Sequence, residues 1–367
     1  MSESVKIGVI GCGNISGAYF GNAKTFSNIE VLACADLNHE AAKAKAEEFS
    51  IPKVLTVDEL LADREIEIVI NLTVPQAHVP MARRIIESGK HTYAEKPLGL
   101  DRREAKALLD DAAKMNLRVG CAPDTFLGTC VQTARKAVDD GLIGRPVAGS
   151  AFMMGMGPEP WHPNPEFFYE IGGGPMFDMG PYYLTALFNI LGPLKRLASI
   201  ASIAIPERTI GTGDKAGNKI NVKTPDHIAG TLEFANGTVV SMITSFATNH
   251  AIYDHDFPIT IYGTEGAMRV GDPNGFDGKV QVKRDAEWED VDCPFMAGYG
   301  RIVGVADMAN AIRTGRRHRA SGEQAFHTLD AMQGFLDASA TGEAYVLTSP
   351  YDRPDPMPLD LPLGTLD

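Results

Sequence analysis

The chain has 367 residues, 44% of them hydrophobic and 22% charged, and a formal net charge of −13. That length points to two domains, each able to bury a core. The acidic balance excludes the basic surface that nucleic acid requires and argues against docking on an anionic membrane.

The first stretch alternates strand and helix patterns. Residues 5–10 form a short apolar run ending in glycines, which reads as a buried strand, and 15–26 as a helix. The spacing then predicts a strand over 29–36, a helix over 40–49, and a strand over 66–72. A helix over 77–88 stops at Gly89, and a short strand follows over 91–94. Asp101 with Glu104 three residues on has the form of a capping box opening a helix to about Met115. Residues 117–121 close the set. Such alternation with short connections predicts a parallel sheet covered by helices on both faces over residues 1–122.

Pro123 marks a change. After a helix over 125–140 the pattern shifts to longer strands, so residues 123–367 read as an α/β domain with an open, mainly antiparallel sheet. Asn236-Gly237 between two β-rich runs predicts a hairpin, and Gly263 to Gly266 a second turn. The apolar segment 176–191 reads as one buried helix. On it Asp178 and Tyr182, four apart, share a face. Two helices over 301–313 and 324–340 come late, and the proline- and acid-rich tail after 348 reads as extended.

The five cysteines, Cys12, Cys34, Cys121, Cys130 and Cys293, include no CxxC pair. Four lie in apolar contexts and read as reduced thiols. No apolar run is long enough to span a bilayer, and nothing with the form of a signal peptide precedes the first strand, so the expected compartment is the cytoplasm.

Three places carry chemistry. Gly11-Cys12-Gly13-Asn14-Ile15-Ser16 fits a dinucleotide fingerprint with serine in the third glycine slot. Gly11 allows the tight turn, Gly13 lets the backbone approach a pyrophosphate, and Asn14 and Ile15 lead into the helix N-terminus. Asp36 ends the second strand, where a carboxylate accepts hydrogen bonds from ribose hydroxyls and repels a 2′-phosphate. No arginine follows it, so NAD is favoured over NADP. Asn71 to His78 sits at the end of the third long strand, where Thr73, Pro75 and His78 are candidates for lining the cofactor. Glu95-Lys96-Pro97 ends another strand. An ammonium there can hydrogen-bond a substrate hydroxyl and relay its proton, with Glu95 orienting it.

The third place is Gly172-Gly173-Gly174-Pro175-Met176-Phe177-Asp178-Met179-Gly180-Pro181-Tyr182-Tyr183. Three glycines run into an apolar segment carrying one aspartate and two tyrosines, which brings polar groups to a site. Just ahead, Trp161 is a candidate to stack on an apolar ligand face, and His162 is a candidate imidazole. His250 and Asp254-His255-Asp256 match no standard metal spacing, so no metal is expected. Arg301 opens a helix from which it could reach substrate or a cofactor phosphate. The run Arg316-Arg317-His318-Arg319 reads as a solvated helix-end loop.

Taken in order, the Gly11 loop, Asp36, Thr73 to His78, Glu95-Lys96-Pro97 and the Gly172–Tyr183 block resemble the glucose–fructose oxidoreductase / inositol dehydrogenase / rhizopine catabolism (Gfo/Idh/MocA) family over about residues 5–345. The resemblance implies an N-terminal dinucleotide-binding Rossmann domain over residues 1–122, a C-terminal α/β domain with an open, mainly antiparallel sheet, and an NAD(P)-dependent oxidoreductase acting on a sugar, cyclitol or related polyol. It also implies a catalytic role for Lys96 and an oligomer, dimer or tetramer, formed through the second-domain sheet. Many members carry histidine four residues after the aspartate of this block; here that slot is Tyr182. A phenol, with an unperturbed pKa of about 10, needs a neighbouring cation to act at neutral pH. Three assignments stay open: a Lys96–Tyr182 pair, Lys96 alone tuned by Asp178, or His162 in place of the missing imidazole.

The expected protein is therefore an NAD-dependent dehydrogenase or reductase of a secondary alcohol or ketone. Its substrate would contact Lys96, Trp161, His162, Asp178 and Tyr182. Two alternatives share the fold. In one, bound NAD is reduced and reoxidised within each cycle; the other is a non-catalytic dinucleotide sensor.

Overall fold

The computed structural model describes residues 4–249 and 255–367. The chain divides into two compact units, one of residues 1–129, 294–329 and 354–367, the other of residues 130–293 and 330–353.

The first unit is built on six strands: β1 (Val5–Ile10), β2 (Ile29–Ala35), β3 (Lys53–Val54), β4 (Ile68–Asn71), β5 (His91–Ala94) and β6 (Val119–Cys121). They lie in the order β3-β2-β1-β4-β5-β6 and all pair in parallel. The connections carry α1 (Ser16–Ala23), α2 (His39–Phe49), α3 (Val57–Ala62), α4 (His78–Glu87) and α5 (Arg102–Lys114). The strand order reverses between β1 and β4, which opens the crevice where ligands bind in such sheets. The strands are apolar and buried; β4 is buried throughout because helices cover both faces. Helix α3 was not foreseen, although its start is a full capping box, with Thr56 and Glu59 each bonding the other's backbone. At α5 the Asp101 side chain accepts from Arg103 N and Glu104 N.

The second unit opens with α6 (Thr129–Asp139), preceded by a separate 3-10 turn at Thr125–Leu127. Gly128, in an extended conformation, separates the two where one helix was expected. Its main sheet has nine strands, in the order β16-β15-β14-β13-β7-β12-β11-β8-β17. These are β7 (Pro146–Met154), β8 (Leu194–Ser202), β11 (His227–Phe234), β12 (Val239–Ser245), β13 (Ile259–Gly263), β14 (Ala267–Val270), β15 (Val280–Lys283), β16 (Glu289–Asp290) and β17 (Tyr345–Val346). A two-stranded ribbon, β9 (Glu207–Thr209) and β10 (Lys219–Asn221), stands apart. All pairs in the main sheet are antiparallel except β7 with β12. The Asn236-Gly237 hairpin is formed, with Gly237 at φ 86° and Glu233 opposite Val239.

The expected helix over 176–191 is two helices, α7 (Gly174–Asp178) and α8 (Gly180–Leu191), meeting at Met179. Pro181 has no N–H to donate back toward Phe177, so the ladder cannot run through this point. Every residue of α8 is buried, and Phe188 packs edge-on against Phe234 of β11 at 6.3 Å.

Residues 294–329 return to the first unit with α9 (Val303–Thr314), and the unit boundary falls inside α10 (Gly322–Thr341). The basic run after α9 is only partly solvated: Arg317 is exposed and Arg316 half-buried. Arg319 and His318 are buried, and Asp307 accepts from both Arg319 and Arg316. Arg316 also binds Asp367 of the acidic tail, and Arg319 bonds the Asp355 and Pro356 carbonyls. The run is basic because it docks acidic chain.

Candidate functional site

In the first unit the loops after β1 and β4 meet at the strand-order reversal. Gly11 has φ 104°, and a Cβ there would lie 2.6 Å from the Leu72 carbonyl oxygen, so only glycine lets the two loops touch. A Cβ on Gly13 would meet nothing within 4 Å, which leaves open space over the loop. Ser16 Oγ donates to the Gly13 carbonyl at 2.7 Å, and the start of α1 has no side-chain cap. Gly13 and Asn14 are exposed and Ile15 half-buried. The result is a glycine turn with room above it at a helix N-terminus that no side chain covers, which fits a pyrophosphate.

Asp36 lies against this loop. Its Oδ2 accepts the Cys12 N–H at 2.7 Å and its Oδ1 the Asn38 N–H at 2.8 Å. Leu37 beside it is fully exposed, and no cation follows. The acid thus stands between the Gly11 turn and the end of β2, where a carboxylate fits ribose hydroxyls as hydrogen-bond donors.

On the other side of the crevice, Thr73 and Pro75 are half-buried. Asn71 Oδ1 accepts from the Thr73 hydroxyl at 2.7 Å, and Asn71 Nδ2 donates to the His78 carbonyl at 3.0 Å. His78 was expected among the residues lining the cofactor. Its ring is instead buried, 1% exposed, with Nδ1 2.6 Å from the Pro97 carbonyl oxygen and Nε2 3.0 Å from that of Thr73. Burial holds its pKa below the ordinary value against the pull of the two carbonyls. The imidazole stands behind the loops and ties one to the other.

Lys96 follows β5 and is half-buried. Its own N–H donates to Glu95 Oε2 at 3.0 Å. Glu95 is buried, and its Oε1 accepts from the Tyr19 hydroxyl at 2.8 Å and lies 3.5 Å from Arg301 Nη1. The main chain on both sides of Lys96 is therefore held by buried side chains. Arg301 reaches Glu95 here; the sequence had offered it to substrate or phosphate.

The second unit carries the other candidates. Gly173 and Gly174 are packed rather than loose. A Cβ at Gly173 would lie 2.6 Å from the Phe168 carbonyl oxygen, and one at Gly174, where φ is 80°, 2.7 Å from that of Pro225. The triplet threads between these backbones and delivers Asp178 at the end of α7 and Tyr182 in the first turn of α8. Asp178 is half-buried and Tyr182 buried. The preceding loop holds Trp161, 66% exposed, edge-on to the half-buried His162.

That loop is anchored by a buried cluster that sequence reasoning missed. Arg208 Nη1 donates to Glu159 Oε1 and to the Met156 carbonyl, both at 2.9 Å, and Nη2 donates to Asp226 Oδ2 at 2.7 Å. The Tyr169 hydroxyl donates to Glu159 Oε2. Burial and the Glu159 carboxylate push the Tyr169 phenol well above its usual pKa, so it stays a donor. The four positions are far apart in sequence, and nothing local marks them.

Among the described residues, no three His, Cys, Asp or Glu side chains could hold a metal ion. His250 and Asp254 of the acidic cluster lie outside the described residues. All five cysteines are free thiols, four buried and Cys293 exposed. No described helix is long and apolar enough to cross a membrane.

The strand order, the glycine turn and the placement of Asp36 define an NAD-binding Rossmann domain joined to a mixed-sheet domain. Residues 5–122 match the model described as an oxidoreductase family with an NAD-binding Rossmann fold, and residues 131–269 match the GFO/IDH/MocA C-terminal domain. The chain belongs to the GFO/IDH/MocA family of NAD-binding oxidoreductases. It is 24% identical over 347 residues to 1,5-anhydro-D-fructose reductase of Ensifer adhaerens, covering 92% of this chain and 97% of that one. It is 25% identical to levoglucosan dehydrogenase of Pseudarthrobacter phenanthrenivorans, over 72% of this chain and 73% of that one. Among solved structures, levoglucosan dehydrogenase in complex with NADH and L-sorbose superposes with a TM-score of 0.80 at 22% identity, covering 94% of this chain and 99% of that one.

Proposed function

We propose that the protein transfers a hydride between nicotinamide and a secondary alcohol or ketone of a sugar, glycoside or cyclitol, with Lys96 handling the hydroxyl proton. The observation that carries this is the setting of Lys96: a half-buried lysine at the carboxyl end of a parallel strand, its backbone held by Glu95 and by the His78–Pro97 contact. Relatives named as reductase of an anhydro-ketose and as dehydrogenases of levoglucosan and of inositols support the substrate class.

NAD, when bound, accepts or supplies the hydride. The Gly11–Ile15 turn and the α1 N-terminus hold its pyrophosphate, Asp36 its adenosine ribose, and Thr73 and Pro75 line the nicotinamide side. Lys96 hydrogen-bonds the reacting oxygen and takes or returns its proton. Asp178 and Tyr182 assist with that proton. Tyr182 stands in the sequence slot that holds histidine in many members of the family and takes its acid/base role. Trp161 and His162 contact the sugar.

We assign contact between copies of the chain to the open face of the nine-stranded sheet. Ile200 of β8, Val239 of β12 and Tyr262 of β13 lie on one side of it, and all three are exposed.

The test is absorbance at 340 nm across monosaccharides, glycosides, anhydrosugars and inositols, with NAD and NADP in parallel. A substrate that turns over with NAD, with turnover lost in Lys96→Ala and NAD binding kept, is the expected result. Silence across the panel with NAD still bound would overturn net redox turnover and favour a cofactor recycled within each cycle. A Tyr182→Phe enzyme of near-normal rate would remove the phenol and leave Lys96 or His162.

A further inference from the structure

A second layer of buried charge stands behind Lys96. Glu95 receives the Tyr19 hydroxyl and faces the Arg301 guanidinium on one oxygen, and it accepts the Lys96 N–H on the other. The 3.5 Å separation from Arg301 is that of an ion pair rather than a tight hydrogen bond. Arg301 is aimed by unusual backbone. The next residue, Ile302, sits at φ 89°, a conformation that β-branched side chains avoid.

The neighbouring carboxylate Asp124 holds that backbone in place. Its Oδ2 accepts the Ile302 N–H at 3.1 Å and the Gly304 N–H at 3.0 Å, which caps α9 from outside the helix. Asp124 has no exposure, and burial pushes its carboxyl up to about 6 against the opposing pull of Arg301. Gly304 is where the helix seats, because a Cβ there would lie 2.3 Å from the Tyr93 hydroxyl.

The titratable groups gathered around Glu95 within this unit are Tyr19 of α1, Tyr93 of β5, Cys121 of β6, Asp124 and Arg301, with His78 and Lys96 on the other side. Two carboxylates and one guanidinium in a buried cluster are not an economical way to stabilise a fold, since apolar residues of similar volume often do as well. A strained residue is added to aim the guanidinium. Such strain persists where the surrounding structure uses it.

We propose that Arg301, aimed by Asp124, is a positioning residue for the reaction: through Glu95 it fixes the main chain at Lys96 and offsets the carboxylate charge that would otherwise favour the ammonium form. The inference rests on the reading that Lys96 moves the substrate proton.

The experiment compares Arg301→Gln, Arg301→Lys, Glu95→Gln and the double variant Glu95→Gln/Arg301→Gln. It reads kcat, the dissociation constant of NADH by fluorescence, and the pH dependence of kcat in the direction of alcohol oxidation. Arg301→Gln is expected to lower kcat by roughly 10- to 100-fold while NADH affinity changes less than about threefold. An uncompensated Glu95 should also move the limb on which Lys96 loses its proton upward by roughly half to one pH unit. Arg301→Lys should return the limb most of the way. In the Glu95→Gln background the further loss from Arg301→Gln should nearly vanish, because the residue acts through Glu95. That double variant removes both partners of the Glu95–Arg301 ion pair, leaves Asp124 its backbone bonds to Ile302 and Gly304, and serves where the single variant does not fold.

Equal losses in kcat and NADH affinity with an unmoved pH limb, or additive effects in the double variant, would overturn the proposal. Titration of the Lys96 ¹³Cε resonance, assigned with Lys96→Gln, separates the two readings because it needs no substrate. If the wild type turns over no sugar, the functional reading fails, while an upward shift of that resonance's midpoint in Arg301→Gln still supports the Arg301–Lys96 link. An unmoved midpoint overturns it.

Discussion

His78 Nδ1 lies 2.6 Å from the carbonyl oxygen of Pro97, the residue after the candidate catalytic lysine. Its other nitrogen faces the Thr73 carbonyl at 3.0 Å, so one buried imidazole spans the loops proposed to hold the cofactor and the proton-transfer lysine. Carbonyls only accept, so each contact is a bond when the facing nitrogen carries the proton.

A ring kept neutral by burial carries one N–H and donates to one of the two carbonyls at a time, so His78→Leu would leave that carbonyl without its donor. Stability should fall by about 1–3 kcal/mol, the cost of a buried acceptor left unsatisfied. Turnover should fall more than cofactor affinity, because Lys96 loses one of its two anchors. Thermal unfolding together with kcat and NADH binding checks this, and an unchanged kcat would remove His78 from the positioning of Lys96.

Asp36→Ala should weaken NAD binding by roughly 10- to 100-fold, the value of hydrogen bonds to a charged acceptor. It also withdraws the acceptor of the Cys12 N–H and the charge that repels a 2′-phosphate. The ratio of kcat/KM for NAD over NADP should therefore shrink. An unchanged ratio would show that discrimination lies elsewhere.

Arg208→Met would strand Glu159 and Asp226 in the interior of the second unit. Removing one partner from such a buried cluster costs about 3–5 kcal/mol. The loop bearing Trp161 and His162 is tied down at Met156 and Glu159, so KM for the sugar should rise as well. Differential scanning calorimetry and substrate saturation curves read the two effects.

His91 sets an acid limit on stability. Its Nδ1 accepts the Arg118 N–H at 2.9 Å, which requires a neutral ring, and burial with the Arg118 charge lowers its pKa to about 4. The unfolded chain binds this proton near the ordinary histidine pKa of about 6.5. The contribution is therefore fully present above that value and lost as pH falls from about 6.5 toward 4, on the order of 2 kcal/mol after screening by solvent. Asp124, raised to about 6, acts in the opposite sense and regains stability as pH falls through that value. His91→Gln should flatten the fall in Tm between pH 6.5 and 4, and an unchanged slope would assign that fall to other groups.

The sequence by itself determined whatever is local and periodic. Apolar runs ending in glycine placed β1 and its turn, acid at the end of β2 placed Asp36, and Asn236-Gly237 placed a hairpin, because each needs only neighbours in the chain. Local signals also existed where they were not used: the Thr56–Glu59 capping box opens α3, and Gly180-Pro181 divides α7 from α8. The tertiary structure alone decided that Arg301 meets Glu95, that Asp124 caps α9, that Arg208 gathers Glu159 and Asp226, and that Arg316 and Arg319 hold the acidic tail. These partners lie tens to hundreds of residues apart. Burial, not spacing, selects them, because a charge removed from water must find its counter-ion wherever the fold brings one.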